Sequence, residues 1–314
     1  MTSTAYLLIS HGSRDPRHQA AINRLAQLVR ERLNPSLLSP WSVQPFAPLL
    51  SESLSSEMTV LGLQDDAHHV SRDGVLGAVM TAVPVARASK PVRLPQDRFI
   101  VGTAVLEFGL FPLHKQICDF GRRLSSAGIE RLQLVPLFLL RGKHVMEDIP
   151  RELELARNEL KGMIDLDVGE HIGCSQCMSD LIANRFFHSP VAGRLLIAHG
   201  SRRARGNRSV DTLAKSLGIA VAYWTIESDI ENRAIQLMQQ GCSTLTIFPY
   251  FLFAGGITDA VAHLTEELAE RFPRTQFRLL PPLGAMADVA NLIVDTLGHH
   301  TEPQGVSKTE IHVF

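Results

Sequence analysis

A chain of 314 residues is long enough for two domains of ordinary size, and with 45% hydrophobic and 20% charged residues it has the composition of a globular protein. Lys+Arg (31) nearly cancel Asp+Glu (32), so the net charge is -1 and no overall basic field draws the chain to nucleic acid or to an anionic membrane. The apolar run Ala5-Tyr6-Leu7-Leu8-Ile9 is too short for a signal peptide or a span, and 4 cysteines are too few for a disulfide scaffold, which predicts a cytoplasmic protein with reduced thiols.

Ala5–Ser10 is a short apolar run that predicts a buried parallel strand. Asp15-Pro16 follows as an N-cap with proline at the first helical position, and Ile22, Leu25, Ala26, Val29 and Leu33 fall on one helical face. Residues 35–98 break the pattern with repeated prolines (Pro35 to Pro95) and the serine-rich Ser51-Glu52-Ser53-Leu54-Ser55-Ser56, so they are expected to be loosely ordered. Beyond them, runs near 99–106 and 131–136 predict strands, and helices are expected over 109–126, 149–163 and 176–187. A strand at Leu195–Ala198 opens a second series. It continues with the helical stripe Val210, Leu213, Ala214 and Leu217, stopped by Gly218, then strands near 219–226 and 243–248 and helices over 229–240, 258–271 and 285–297.

The two series are copies. Leu7-Leu8-Ile9-Ser10-His11-Gly12-Ser13-Arg14 recurs as Leu195-Leu196-Ile197-Ala198-His199-Gly200-Ser201-Arg202, and the stretch from Leu134 to Gly142 recurs more loosely from Ile247 to Gly255. His11 and Glu107 lie 96 positions apart, against 28 for His199 and Glu227, which puts an insertion of about 68 residues in the first copy. The expected fold is therefore α/β: two tandem-duplicated lobes, each a parallel sheet flanked by helices, facing each other across a cleft. The lobes are expected at 1–190, with the 35–98 insertion, and at 191–298, followed by a polar tail over 299–314.

Ligands of open parallel sheets bind beyond the carboxyl ends of the strands. In the first copy His11 follows the first strand, Glu107 the second, and His144 lies in the loop after the third. Neutral imidazoles hold a borderline divalent metal and accept protons near neutral pH, and a carboxylate orients an imidazole or carries a proton on. Few ligands give a weak, open site suited to metal transfer. The second copy keeps His199 and has Glu227 as a matching acid, but Ile257 stands where His144 would be, so the chemistry is assigned to the first lobe. The stretch from Pro249 to Gly256 suits either a flat macrocycle or a buried core.

These residues resemble the class II chelatases, the sirohydrochlorin ferro- and cobaltochelatases. The resemblance rests on His-Gly-Ser-Arg at residues 11–14, Leu106-Glu107, and the motif from Pro136 to Pro150, and it covers roughly 1–34 and 99–298. It implies a bilobal α/β fold, no permanently bound cofactor, Fe2+ or Co2+ as the substrate metal, and a carboxylated tetrapyrrole as the other substrate. It implies metal-handling roles for His11 and His144 and an assisting acid in Glu107. Arg14, Arg17 and Lys143 are candidates to meet the substrate carboxylates. Insertion of iron, toward sirohaem, is preferred to insertion of cobalt, toward cobalamin; a non-catalytic tetrapyrrole or metal carrier is the reading of another class.

Other signals carry less. Cys174-Ser175-Gln176-Cys177 lacks a second ligand pair for a structural zinc. His68-His69 and His299-His300 fall in the segments expected to be least ordered, and His114 is near enough to Glu107 in sequence to extend the site or to face solvent. A phosphoryl-transfer reading of His-Gly-Ser-Arg lacks a glycine-rich phosphate loop.

Overall fold

The computed structural model describes residues 4–34, 99–174, 176–187, 193–201 and 206–298. The expected insertion at 35–98, the boundary near 190, the tail at 299–314 and both histidine pairs lie outside the described residues.

The first half runs β1 (Thr4–Ser10), α1 (Pro16–Leu33), β2 (Ile100–Val105), α2 (Leu113–Ser126), β3 (Arg131–Pro136), α3 (Ile149–Leu160), β4 (Asp165–Val168) and α4 (Gln176–Phe187). The second repeats it: β5 (Gly193–Ala198), α5 (Arg208–Leu217), β6 (Ala220–Tyr223), α6 (Asp229–Gln239), β7 (Thr244–Pro249), α7 (Gly256–Arg271), β8 (Gln276–Leu279) and α8 (Ala287–Gly298). Each half forms a four-stranded sheet, in the orders β2-β1-β3-β4 and β6-β5-β7-β8, with every pair parallel. Among the described residues, no helix is long and apolar enough to cross a membrane.

The expected caps are present. The Asp15 carboxylate accepts from the Arg17 N–H at 2.9 Å ahead of Pro16, and Gly218 ends α5 in a left-handed conformation. Three expectations are corrected. The helix expected from 109 starts only at Leu113, because Pro112 disfavours helical backbone in the residue before it and leaves 106–112 as a loop. The short strands β4 and β8 were not among the expected elements: Asp-Leu-Asp-Val and Gln-Phe-Arg-Leu alternate polar and apolar residues, as suits the outer strand of a sheet. His144 is not in a loop; it opens a single π-helical turn, His144–Asp148, that runs into α3.

The strands also show where the core sits. Ala5, Leu7 and Ile9 of β1 point to one cluster with α2 and α3, while Tyr6 and Leu8 point to another. That second cluster is shared, since it also holds Leu196, Ala198 and Phe248 of the second sheet and the apolar faces of α1, α4, α5 and α8. The last helix of each half crosses over: α8 packs on α1, and Phe186 of α4 meets Phe248 of β7 edge-on, with ring centroids 5.8 Å apart. The described residues thus form five layers, with one helical layer common to both sheets. The two expected parallel-sheet lobes are present, and they share part of their core.

On the outer face of the first sheet, α2 and α3 are tied by ion pairs. Glu159 accepts from Lys115 at 2.9 Å and from Arg122 at 2.7 Å, and these bonds hold its carboxyl down to about 2. A depressed carboxyl contributes stability above its ordinary pKa of 4.5 and loses it as pH falls toward the folded value. Thermal melts of wild type and Glu159→Gln should therefore differ at neutral pH and converge between about pH 4.5 and pH 2; a gap that persists at pH 2 would show that the pairs are not its cause.

Candidate metal centre

A sheet ordered β2-β1-β3 reverses its winding between β1 and β3, and the crevice at that reversal is where such folds bind ligands. His11 leaves β1 and His144 follows β3, so the two imidazoles flank this crevice. Their ring centroids are 4.8 Å apart, with planes at 80°. Glu107, beyond β2, completes a group whose ligand atoms all lie within 4.8 Å of one another. His11 Nε2 stands 3.8 Å from Glu107 Oε2, and both side chains are about half exposed (47% and 46%).

Backbone bonds set this placement. The Leu106 and Glu107 N–H groups donate to the Ser10 and His11 carbonyls at 2.9 and 2.8 Å, extending the β1–β2 ladder past its end. Gly12, at φ +92, lets the two chains approach so closely that a Cβ there would stand 1.9 Å from the Glu107 carbonyl oxygen.

Each histidine has one nitrogen occupied. His11 Nδ1 is 3.2 Å from the Gly12 carbonyl, and His144 Nδ1 is 2.9 Å from Asp148 Oδ2. In both cases Nδ1–H donates and leaves the Nε2 lone pair for a metal. Asp148 is a candidate site residue that the sequence reading did not single out, although it stands inside the motif from Pro136 to Pro150. Its signal is the i, i+4 spacing from His144, which becomes meaningful only once His144 is helical. Two more histidines border the centre: burial, and then the nearby His11, lower the pKa of both His18 and His199, which favours their neutral forms. The His18 ring lies edge-on to Phe253 of the second half, with centroids 5.2 Å apart.

Among the described residues, the second half lacks the group. Its ladder extension pairs the Thr225 N–H with the His199 carbonyl, so Thr225, not Glu227, is the counterpart of Glu107. The matched registers Ile9↔Pro136 and Ile197↔Pro249 leave Ile257 in the place of His144. One imidazole, a hydroxyl and an alkyl group make no divalent-metal site.

Other sequence candidates are also placed. The Arg17 guanidinium is taken up by carboxylates, donating to Asp15 and, at 3.2 and 2.6 Å, to both oxygens of Asp259 in α7. It ties the two halves together through these ion pairs. Arg14 lies over the Phe108 ring, 5.3 Å from its centroid, and Lys143 is exposed just ahead of His144. His114 turns to Glu152 at 2.8 Å, away from the metal group. Tyr250 and Leu252 are buried in the shared core, so of the apolar stretch after Pro249 those two side chains serve as core. Cys174 donates to the His171 carbonyl, and burial, then Glu170, push its thiol up to about 11, so it is neither a ready thiolate nor a ready ligand.

Gly12→Ala should cost about 1–2 kcal/mol for the backbone conformation alone, and more for the clash with Glu107. Denaturant unfolding checks this, and a wild-type midpoint would refute the close approach.

Comparisons with known proteins bear on the family and the fold. A family model described as CbiX matches residues 96–189 and 193–299. A sirohydrochlorin ferrochelatase of Priestia megaterium is 24% identical over 179 residues, covering 53% of this chain and 66% of that protein. A sirohydrochlorin cobaltochelatase of Sulfurisphaera tokodaii is 28% identical over 82 residues, covering 26% of this chain and 64% of that protein. The chain thus spans just under two thirds of the length of the curated relatives it matches. Among solved structures, SirB from Bacillus subtilis with Fe3+ superposes with a TM-score of 0.63 at 16% identity, over 95% of each chain.

Proposed function

The chain belongs to the CbiX family, and on that premise we propose that it is a sirohydrochlorin chelatase, inserting Fe2+ into the macrocycle with release of the two inner pyrrole protons. The observation that carries this reading is the convergence of His11, Glu107 and His144 within 4.8 Å at the winding reversal of one sheet, with no such group among the described residues at the matching strand ends of the other. Fe2+ is held by the Nε2 atoms of His11 and His144 and by the Glu107 carboxylate. Three ligands on an exposed rim leave positions open for the macrocycle nitrogens. As the metal moves into the ring, the same imidazoles and carboxylate are freed as bases for the departing protons. One divalent cation leaves the protein side and two protons arrive, so charge balances across the transfer. Iron is taken ahead of cobalt here, and the curated matches include both a ferrochelatase and a cobaltochelatase. Four free thiols suit a reducing cytoplasm.

Anaerobic absorbance of sirohydrochlorin with Fe2+ or Co2+ tests the reading. Wild type should accelerate insertion, fastest with Fe2+. His144→Ala should fall to the uncatalysed rate, and His199→Ala should stay within a few-fold of wild type. Faster insertion of Co2+ would overturn the metal preference, and macrocycle binding without acceleration by either metal would leave a carrier. For Asp148→Asn, which removes the charge that orients His144, calorimetric titration should show metal affinity lower by about 10–100-fold with an unchanged melting temperature. Unchanged affinity would remove Asp148 from the site.

A further inference from the structure

The loop between β2 and α2, residues 106–112, is hydrogen-bonded at both ends and yet exposes a run of large apolar side chains. Phe108 is 56% exposed, Leu110 86% and Phe111 60%. The loop is held at both ends. Its start is bonded to β1 through Leu106 and Glu107, and the Gln116 side chain of α2 donates to the Val105 and Phe111 carbonyls at 2.9 and 2.8 Å while accepting from the Val105 N–H. Gly109 lies so close beneath that a Cβ there would be 2.8 Å from Val105. Phe108 itself has φ +60, a backbone conformation that bulky side chains rarely adopt. Such strain persists where surrounding structure imposes it, and it clusters at ligand sites. An ordered loop that spends strain to hold an aromatic ring in water calls for an occupant.

The neighbours of that ring say which occupant. Phe108 directly follows Glu107, its centroid is 6.4 Å from that of His11, and Arg14 stands over it. The apolar face therefore adjoins the metal group and carries a cation. On the other side of the crevice Met146, in the π-helical turn with His144, is also half exposed. Counted through the repeat, Ile226 is the counterpart of Phe108, and it too is exposed.

We propose that Phe108, with Leu110 and Phe111, is the platform on which one face of the macrocycle lies, and that Arg14 meets a carboxylate on the rim of the same ligand. A flat conjugated ring presents a broad apolar face with anions at its edge. A stacking aromatic beside a guanidinium matches both parts. This rests on the chelatase reading for the identity of the ligand, and it adds the residues that orient the ring over the metal.

The test is binding of uroporphyrin, a flat macrocycle with carboxylates on its rim, followed by fluorescence quenching of the ligand without added metal. Phe108→Gly removes the ring and relieves the left-handed backbone, so its melting temperature should equal or exceed that of wild type while Kd rises by about 10-fold or more. Phe108→Leu should lose less. Arg14→Gln should weaken binding at low salt and matter less at high salt. Co2+ titrations of Phe108→Gly should match wild type. If Phe108→Gly and Leu110→Ser both bind uroporphyrin within about 2-fold of wild type, the platform is overturned. It is equally overturned if they alter only the oligomeric mass, which would make the loop a contact between copies of this chain. The insertion assay stands apart. Loss of binding in these variants with no insertion by wild type would keep the platform and end the chelatase reading, while insertion by wild type with undiminished binding in the variants would do the reverse.

Discussion

The site depends on one constraint: β1 is paired in parallel on both sides, to β2 and to β3. With the register fixed along both edges, the chain leaving β1 has no freedom at its first residues, and bonds from Leu106, Glu107 and Leu137 to the Ser10, His11 and Ile9 carbonyls carry the order past the strand ends. Residues some 96 and 133 positions from His11 are thereby delivered to within 4.8 Å of it by backbone alone. Side chains then add orientation through Asp148 and the Gly12 carbonyl. A half-exposed site with few interactions of its own is positioned in this way by a strand paired on both sides.

The duplicated halves share this scaffold and differ in what they mount on it. Both have the same strand order, the same ladder extension and a positive-φ glycine after the first strand. The second half, with Thr225 and Ile257 at the decisive positions, retains the geometry without the ligands. Its contribution is to packing and to the crevice wall: Asp259 fastens Arg17, Phe253 backs His18, and Phe248 receives Phe186.

Much of this was legible in the sequence because the cues are local. The repeat marked both halves, the apolar runs marked the inner strands, and Asp15-Pro16 and Gly218 marked helix ends. His11, Glu107 and His144 could be brought together because parallel sheets put all their carboxyl ends on one side. What escaped was non-local. The alternating edge strands β4 and β8 had no continuous apolar run. Asp148 required the π-helical turn to bring it to His144. Glu227 was matched to Glu107 by residue type, whereas the backbone pairing selects Thr225. The pairing of Arg17 with Asp259, 242 positions away, could not be read from the sequence.

The crossing of α4 and α8 has a consequence for how the chain is made. During synthesis from the N-terminus, α1 emerges early, yet the helix that covers its apolar face, α8, is the last one described. The first sheet is complete by Val168, while Phe186 of α4 waits for Phe248 to leave the ribosome. Contacts of such long sequence separation close slowly, and until they do the nascent chain carries bare apolar helix faces. Growth of the polypeptide past residue 287 is then the event that seals the first half, so a message truncated before α8 yields a product with an open seam along α1, a substrate for chaperones and proteases rather than a smaller folded protein.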